Sequence, residues 1–229
     1  MPLIREIVIT TLGLITLWPG HCLDGEVIYA WLQYLQLRSE DRLLALDVLF
    51  IRDLKIGERE RAFQRFGGYN PFDYELLLLP HHLPPGDGHW ILFAIYPQAG
   101  VIQCHDPVGN AYPDELQLLV EIMDVAARQC GQGARDWTVE AGTLRVGVDA
   151  DSTNCGVCVC IIAQALLTMA PVDSSSLDDY REFVFQVNLI KYNTNFIFNR
   201  IYFYYVTSVF GIGFYYRTAV NSEIIDLRV

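Results

Sequence analysis

An α+β fold is what this sequence predicts, and three observations carry the prediction. The first third holds apolar residues at helical spacing, whereas the middle shifts to short apolar runs cut by Pro- and Gly-rich turns, as neighbouring buried strands require. Residues 155–169 are then apolar nearly all round, the pattern of a helix running through the centre of a domain. With 229 residues there is enough chain for one substantial core plus terminal extensions.

The chain opens on an apolar run, residues 7–18, closed by a Pro19-Gly20 turn. Leu23-Asp24-Gly25-Glu26-Val27-Ile28-Tyr29-Ala30-Trp31-Leu32 predicts the first helix, with Asp24 where an N-cap belongs. Residues 41–54 predict a second helix. The charged segment 58–65 reads as a solvated face, and Gly67-Gly68-Tyr69-Asn70-Pro71 as a loop. Strands follow at 75–79, 90–96 and 101–104, then an amphipathic helix over 113–130 that ends before Gly131, and another short strand at 137–139. A polar loop, 149–154, leads into the buried helix, and residues 180–190 predict a last one. Residues 192–216 are aromatic and β-branched. The sixteen uncharged residues from 201 to 216 fall short of the roughly 20 that span a bilayer. A poorly fitting appendage is the leading reading of this tail, ahead of packed terminal strands or a membrane anchor.

A formal net charge of -11 and a pI near 4.8, with no basic stripe, exclude nucleic-acid binding as a main activity, because that affinity is built on clustered Lys and Arg. Six cysteines, at 22, 104, 130, 155, 158 and 160, could pair in a small secreted protein. This chain is not small, and its apolar start has an interrupting Glu6 and no small-residue cleavage site, so reduced thiols in the nucleus or cytoplasm are expected. Cys155, Cys158 and Cys160 lack a second Cys or His cluster at zinc spacing; Cys158 and Cys160 read as small core residues. No metal or cofactor is expected.

A cysteine nucleophile needs a base to form its thiolate, a group to orient that base, and donors for the tetrahedral oxyanion. Gly88-His89-Trp90 sets a histidine at the mouth of one predicted strand, and Cys104-His105-Asp106-Pro107-Val108-Gly109 sets an aspartate at the end of the next. Cys155 stands where a polar loop meets the buried helix, beside N–H groups without intrahelical partners.

Four segments in register resemble one known family. Leu17-Trp18-Pro19-Gly20 followed by Cys22-Leu23-Asp24-Gly25-Glu26-Val27-Ile28 is similar to the N-terminal motif of the SUMO-specific (ubiquitin-like-protein-specific) cysteine proteases. Leu79-Pro80 with His89-Trp90 resembles their strand-end proline and histidine-tryptophan pair. Asp106-Pro107-Val108-Gly109 resembles their aspartate motif, and Thr153-Asn154-Cys155-Gly156-Val157-Cys158-Val159-Cys160 their nucleophile motif. The likeness runs from about residue 12 to 170.

The resemblance implies a papain-like, adenovirus-proteinase-like fold: a central mixed sheet flanked by helices, with the nucleophile at the start of a buried helix. It divides the chain into a lead (1–11), a SUMO-protease-like catalytic domain (12–190) and an aromatic extension (191–229). It implies His89 as general base, Asp106 as its orienter and Cys155 as nucleophile. Trp90 would cover a channel for a Gly-Gly tail, with Asp24 and Glu26 on the substrate side. The partner implied is SUMO or another ubiquitin-like modifier and its conjugates. Asp149 replaces the family's oxyanion-hole glutamine. One lost donor of that kind costs about 10²- to 10³-fold in kcat, so reduced activity is expected unless Asn154 or a backbone N–H substitutes. Cys22 and Asp24-Gly25 also depart from the family pattern. The alternatives are a weakened module that only binds such modifiers, a deneddylase, deubiquitinase or acetyltransferase on the same fold, and a membrane-anchored interaction protein.

Overall fold

Consecutive leucines in the middle of the chain serve two different cores. The computed structural model describes residues 9–84, 88–133, 135–144, 146, 152–171, 177, 180, 181 and 184, and strands at 207–208, 211–212, 216–220 and 223–227. Its centre is a five-stranded sheet in chain order: β1 (Leu43–Ala45), β2 (Leu76–Leu83), β3 (His89–Tyr96), β4 (Val101–His105) and β5 (Thr138–Ala141). The outer pairs are parallel and the inner pairs antiparallel, so the sheet is mixed. Leu76 and Leu78 join Leu92 and Ala94 in one core, whereas Leu77 and Leu79 join Ile91, Phe93 and Ile95 in the other. The pleat does this, and because both faces are covered the strands read as continuous apolar runs.

Helices α2 (Gly25–Arg38) and α6 (Cys155–Thr168) cover the first face; α3 (Phe50–Lys55), α4 (Arg59–Gln64) and α5 (Pro113–Gln129) cover the second. A short α1 (Thr11–Ile15) precedes them. Asp24 caps α2, accepting a hydrogen bond from the Glu26 N–H at 2.8 Å. Residues 155–163 of α6 are all buried, Cys158 and Cys160 completely, which accounts for the helix being apolar all round. No helix among the described residues is long and apolar enough to cross a membrane.

Two sequence expectations are overturned. Residues 41–54 are not a single helix: Leu43, Leu44 and Ala45 form β1, paired with Leu76, Leu77 and Leu78, and α3 starts only at Phe50. Glu40 (φ 53°) and Asp41 (φ 64°) are left-handed, which breaks the helical path, and the Asp47 carboxylate then accepts from the Leu49 N–H to start the next one. Pro80 is also not a strand end. It pairs with Leu92 inside β2, beyond Leu78, where β1 has left and no donor is needed on that edge.

The chain divides into two units, residues 1–188 and 189–229. In the second, β6 (Thr207–Ser208) pairs antiparallel with β7 (Gly211–Ile212), and β8 (Tyr216–Val220) with β9 (Glu223–Leu227). The rest of the aromatic stretch 192–216, residues 1–8 and most of the last expected helix lie outside the described residues; Tyr180, Arg181 and Val184 are helical.

Candidate active site

The antiparallel β3–β4 pair brings a histidine and an aspartate together from the same end of the sheet. His89 is the first residue of β3, and Asp106 follows the last residue of β4, His105, which pairs with Leu92. The His89 Nε2 lies 2.6 Å from Asp106 Oδ1. His89 is also hydrogen-bonded to Cys155, the first residue of α6. Since Nε2 faces Asp106, the nitrogen left for the thiol is Nδ1. Cys155 is buried, and its Sγ accepts from the Trp90 N–H at 3.4 Å.

Asp106 is held on every side. Its Oδ1 also accepts from the Val108 N–H at 2.8 Å, and its Oδ2 accepts from the Asn110 N–H (2.8 Å) and the Tyr112 hydroxyl (2.9 Å). Burial alone would raise this carboxyl's pKa, but His89 and these three donors together carry it well below the usual carboxylate range. Gly109, at φ 92°, closes the turn that aims the two N–H groups at the carboxylate. The fixed charge acts on His89: hydrogen bonds to Asp106 and then Cys155 outweigh burial and raise its pKa to about 9. At neutral pH the imidazole is therefore an imidazolium, the form that stabilises an adjacent thiolate.

Trp90 lies buried behind the thiol. Its indole N–H donates to the Leu23 carbonyl at 2.9 Å. Two glycines make room for it: a Cβ on Gly25 would stand 3.1 Å from the indole Cη2, and one on Gly156 would stand 3.3 Å from Cδ1 and 2.8 Å from Leu23 Cβ. Gly25 thus fits the ring above it, a fit that the sequence offered only as a departure from a motif. Asp24 and Glu26 sit at the start of α2, where Asp24 caps the helix and Glu26 accepts from the Thr10 N–H at 3.3 Å. Asn154, next to Cys155 in the chain, turns its amide oxygen to Arg181, from which it accepts at 2.8 Å. Asp149 lies outside the described residues.

Tyr112, Arg181 and His82 were not singled out from sequence. Tyr112 sits six residues past Asp106, at the start of α5, in a segment that reads as a turn. His82 packs against Trp90 (ring centroids 4.7 Å apart) because β2 and β3 pair them directly. That signal exists only once the strand register is known. Among the described residues no group of three or more His, Cys, Asp or Glu could hold a metal ion.

No family model matches the sequence, and no curated protein matches it. Solved structures do match the fold. The SUMO protease Ulp1 with its catalytic cysteine oxidised to a sulfinic acid superposes with a TM-score of 0.68 at 20% identity, covering 82% of this chain and 85% of that one. The C-terminal Ulp1 protease domain in complex with Smt3, the yeast ortholog of SUMO, gives 0.68 at 18% identity, over 81% and 85%. The fold is that of the Ulp1 protease domain. A Ulp1-like SUMO protease catalytic domain from Chaetomium thermophilum shares it with a TM-score of 0.58 at 16% identity, over 76% of this chain and 74% of that one. The central mixed sheet and the cysteine at the start of a buried helix are thus features of a Ulp1-like fold.

Proposed function

We propose that this chain is a thiol protease acting after the C-terminal Gly-Gly of SUMO or a related ubiquitin-like protein. The observation that carries the reading is His89 hydrogen-bonded on one side to a fully held Asp106 carboxylate and on the other to Cys155. In the reaction the thiolate forms the S–C bond as the carbonyl electron pair moves to oxygen. Collapse then breaks the C–N bond, and the leaving amine takes the proton from His89. Water attacks the thioester and gives one proton to His89; collapse breaks the C–S bond, restores the thiolate and leaves the modifier's carboxylic acid, which loses its remaining proton to solvent. The oxyanion of each step is assigned to the first N–H groups of α6, which lie beside the sulfur. Trp90 is the aromatic wall of the channel, and glycine is the residue thin enough to pass beneath it.

SUMO leads among the modifiers because Ulp1, whose fold this chain shares, is a SUMO protease. A cytoplasmic or nuclear location is proposed with it. The test is to incubate the protein with SUMO, a NEDD8-type modifier and ubiquitin, each carrying a C-terminal electrophile. A covalent adduct with SUMO that is lost in Cys155→Ala is expected. Labelling by ubiquitin alone moves the reading to a deubiquitinase; labelling by none removes the protease.

A further inference from the structure

Three residues past the nucleophile, α6 carries a second thiol that the reaction does not use. Cys155 is the first residue of the helix and Cys158 stands in its first turn, with Gly156 and Val157 between them. Neither is in a disulfide among the described residues. Both belong to the core that α6 shares with α2 and the sheet, where Cys158 has no exposed surface. Cys160 is equally buried but lies five positions from Cys155, off the face that residues three and four apart share. A Cys-x-x-Cys pair of this kind is the arrangement in which one thiolate reacts and the second thiol resolves the product into a disulfide.

Helical geometry brings the pair within reach. Residues three apart in an α-helix have Cα atoms about 5 Å apart, inside the roughly 4.4–6.8 Å that a disulfide spans. Their Cβ atoms, about 5–6 Å apart, must close by about 1–2 Å. Gly156, lying between them, is the residue type whose backbone adjusts most readily. The two thiols also differ in the way such a step needs. His89 is hydrogen-bonded to Cys155 and is charged at neutral pH, which favours a thiolate there. Burial, then the charge of Cys155, push the Cys158 thiol up to about 12, so it offers an oxidant little thiolate of its own.

We propose that Cys155 and Cys158 form a reversible disulfide, a redox modification site in which Cys158 resolves the oxidised nucleophile. The oxidant is a hydroperoxide. The Cys155 thiolate attacks its terminal oxygen, forming an S–O bond as the O–O bond breaks. The oxygen that leaves takes the proton of His89 and departs as water or an alcohol. The Cys158 sulfur then attacks the sulfenic acid: an S–S bond forms, the S–O bond breaks, and the leaving hydroxide takes the Cys158 proton as water. The peroxide gains two electrons and the thiol pair loses two. An external dithiol reverses the change, becoming a disulfide itself and returning one proton to Cys158 and one to His89. An unresolved sulfenic acid would instead go on to a sulfinic acid, which thiols do not reduce. The loss of activity in the oxidised state rests on the protease reading, but the bond itself does not.

The test treats the whole chain with hydrogen peroxide as wild type, Cys158→Ala, Cys158→Val and Cys22→Ala, each variant first checked for a cooperative melting transition. The valine variant serves if the alanine one does not fold, and the wild-type map decides alone if neither does. Cys22 is included because its neighbour Leu23 packs on Gly156. Remaining thiols are alkylated with iodoacetamide in urea, and the tryptic peptide holding Cys155, Cys158 and Cys160 is mapped by mass. Turnover of a ubiquitin-like modifier bearing a C-terminal aminocoumarin amide is followed before peroxide, after it, and after dithiothreitol. In the wild type and Cys22→Ala the peptide should lose two hydrogens with Cys160 alone alkylated, and turnover should vanish and return in full with dithiothreitol. In the Cys158 variants Cys155 should gain two oxygens, and the turnover lost to the same dose should stay lost. A bond from Cys155 to Cys22 or Cys160, a sulfinic acid at wild-type Cys155 beside an alkylated Cys158, or a Cys158→Ala protein that recovers as fully as the wild type would each overturn the inference. If the reduced wild-type chain turns over no modifier while the Cys155–Cys158 bond forms, the protease reading fails and the redox site stands.

Discussion

His89 lies between Asp106 and Cys155, and its hydrogen bond to Asp106 is the largest cause of its raised pKa. The Asp106 carboxylate stays charged although buried, because two N–H groups and a hydroxyl donate to it and only the ionised form can accept from them all. Asp106→Asn keeps the shape and removes the charge. With His89 raised to about 9, turnover by the wild type should fall as pH passes about 9, where the leaving amine loses its proton donor. In Asp106→Asn that alkaline limb should move down by about one pH unit or more, and kcat/KM at neutral pH should drop roughly 10²-fold or more. A pH profile of kcat/KM for both proteins checks this, and an unmoved limb would mean that Asp106 does not set the histidine's charge. All three residues were legible in the sequence, because a strand start, a strand end and a loop-to-helix junction are each visible as changes of pattern. Tyr112 and Arg181 were not, since what identifies them is a contact across the fold: the Arg181 partners lie 27 to 165 positions away.

At the scale of elements, β3, β4 and α6 stand in sequence order as apolar runs, and their residue types suffice to place them. The strand β1 was hidden for a physical reason. Leu43, Leu44, Ala45 and Leu46 divide between the two faces of the sheet, so the alternation that marks a strand is written in one residue class on both sides and shows no period. The junction of α2 and α6 leads to a sharper prediction. Gly156 lies in the first turn of α6, where alanine is favoured over glycine by about 1 kcal/mol on propensity alone. A Cβ there would stand 2.8 Å from Leu23 Cβ, which is fixed close to backbone and cannot swing away. Overpacking of that kind costs about 1–3 kcal/mol and outweighs the propensity gain. Gly156→Ala should therefore lower the urea midpoint without changing the slope, and a midpoint equal to or above that of the wild type would mean that the helix start can move.

For the molecule as a whole, two buried histidines away from the thiol set how stability responds to acid. His81 and His105 are 4% and 1% exposed, and the His81 Nε2 and both His105 ring nitrogens have no hydrogen-bond partner among the described residues. The backbone of Gly142 closes on the His105 ring, where a Cβ would stand 2.2 Å from Nδ1. Burial pushes both pKa values down to about 4; Lys55 adds to this at His81 while Glu115 opposes it, and at His105 the Leu144 backbone pulls weakly the other way without reaching hydrogen-bond geometry. The folded state resists protonation and the unfolded chain accepts it near 6.5. The stability these groups contribute is thus complete above about 6.5 and is lost as pH falls from there toward about 4. His89 has the opposite sign: its contribution is complete below about 6.5 and disappears as pH rises through about 9. Acidification also relaxes the repulsion of a chain carrying a net charge of -11, but at 0.15 M salt surface charges are screened beyond about 8 Å, and the buried groups dominate. Between pH 6 and 4.5 the unfolding free energy should decline by up to about 2.7 kcal/mol per pH unit, one proton's worth for each histidine. His81→Leu, which removes one titrating ring while keeping an apolar body beside Phe93, should reduce that slope by about half whatever it does to the stability at pH 7. Urea unfolding at a series of pH values measures the slope directly, and an identical slope in the two proteins would show that His81 is not buried neutral in the folded state.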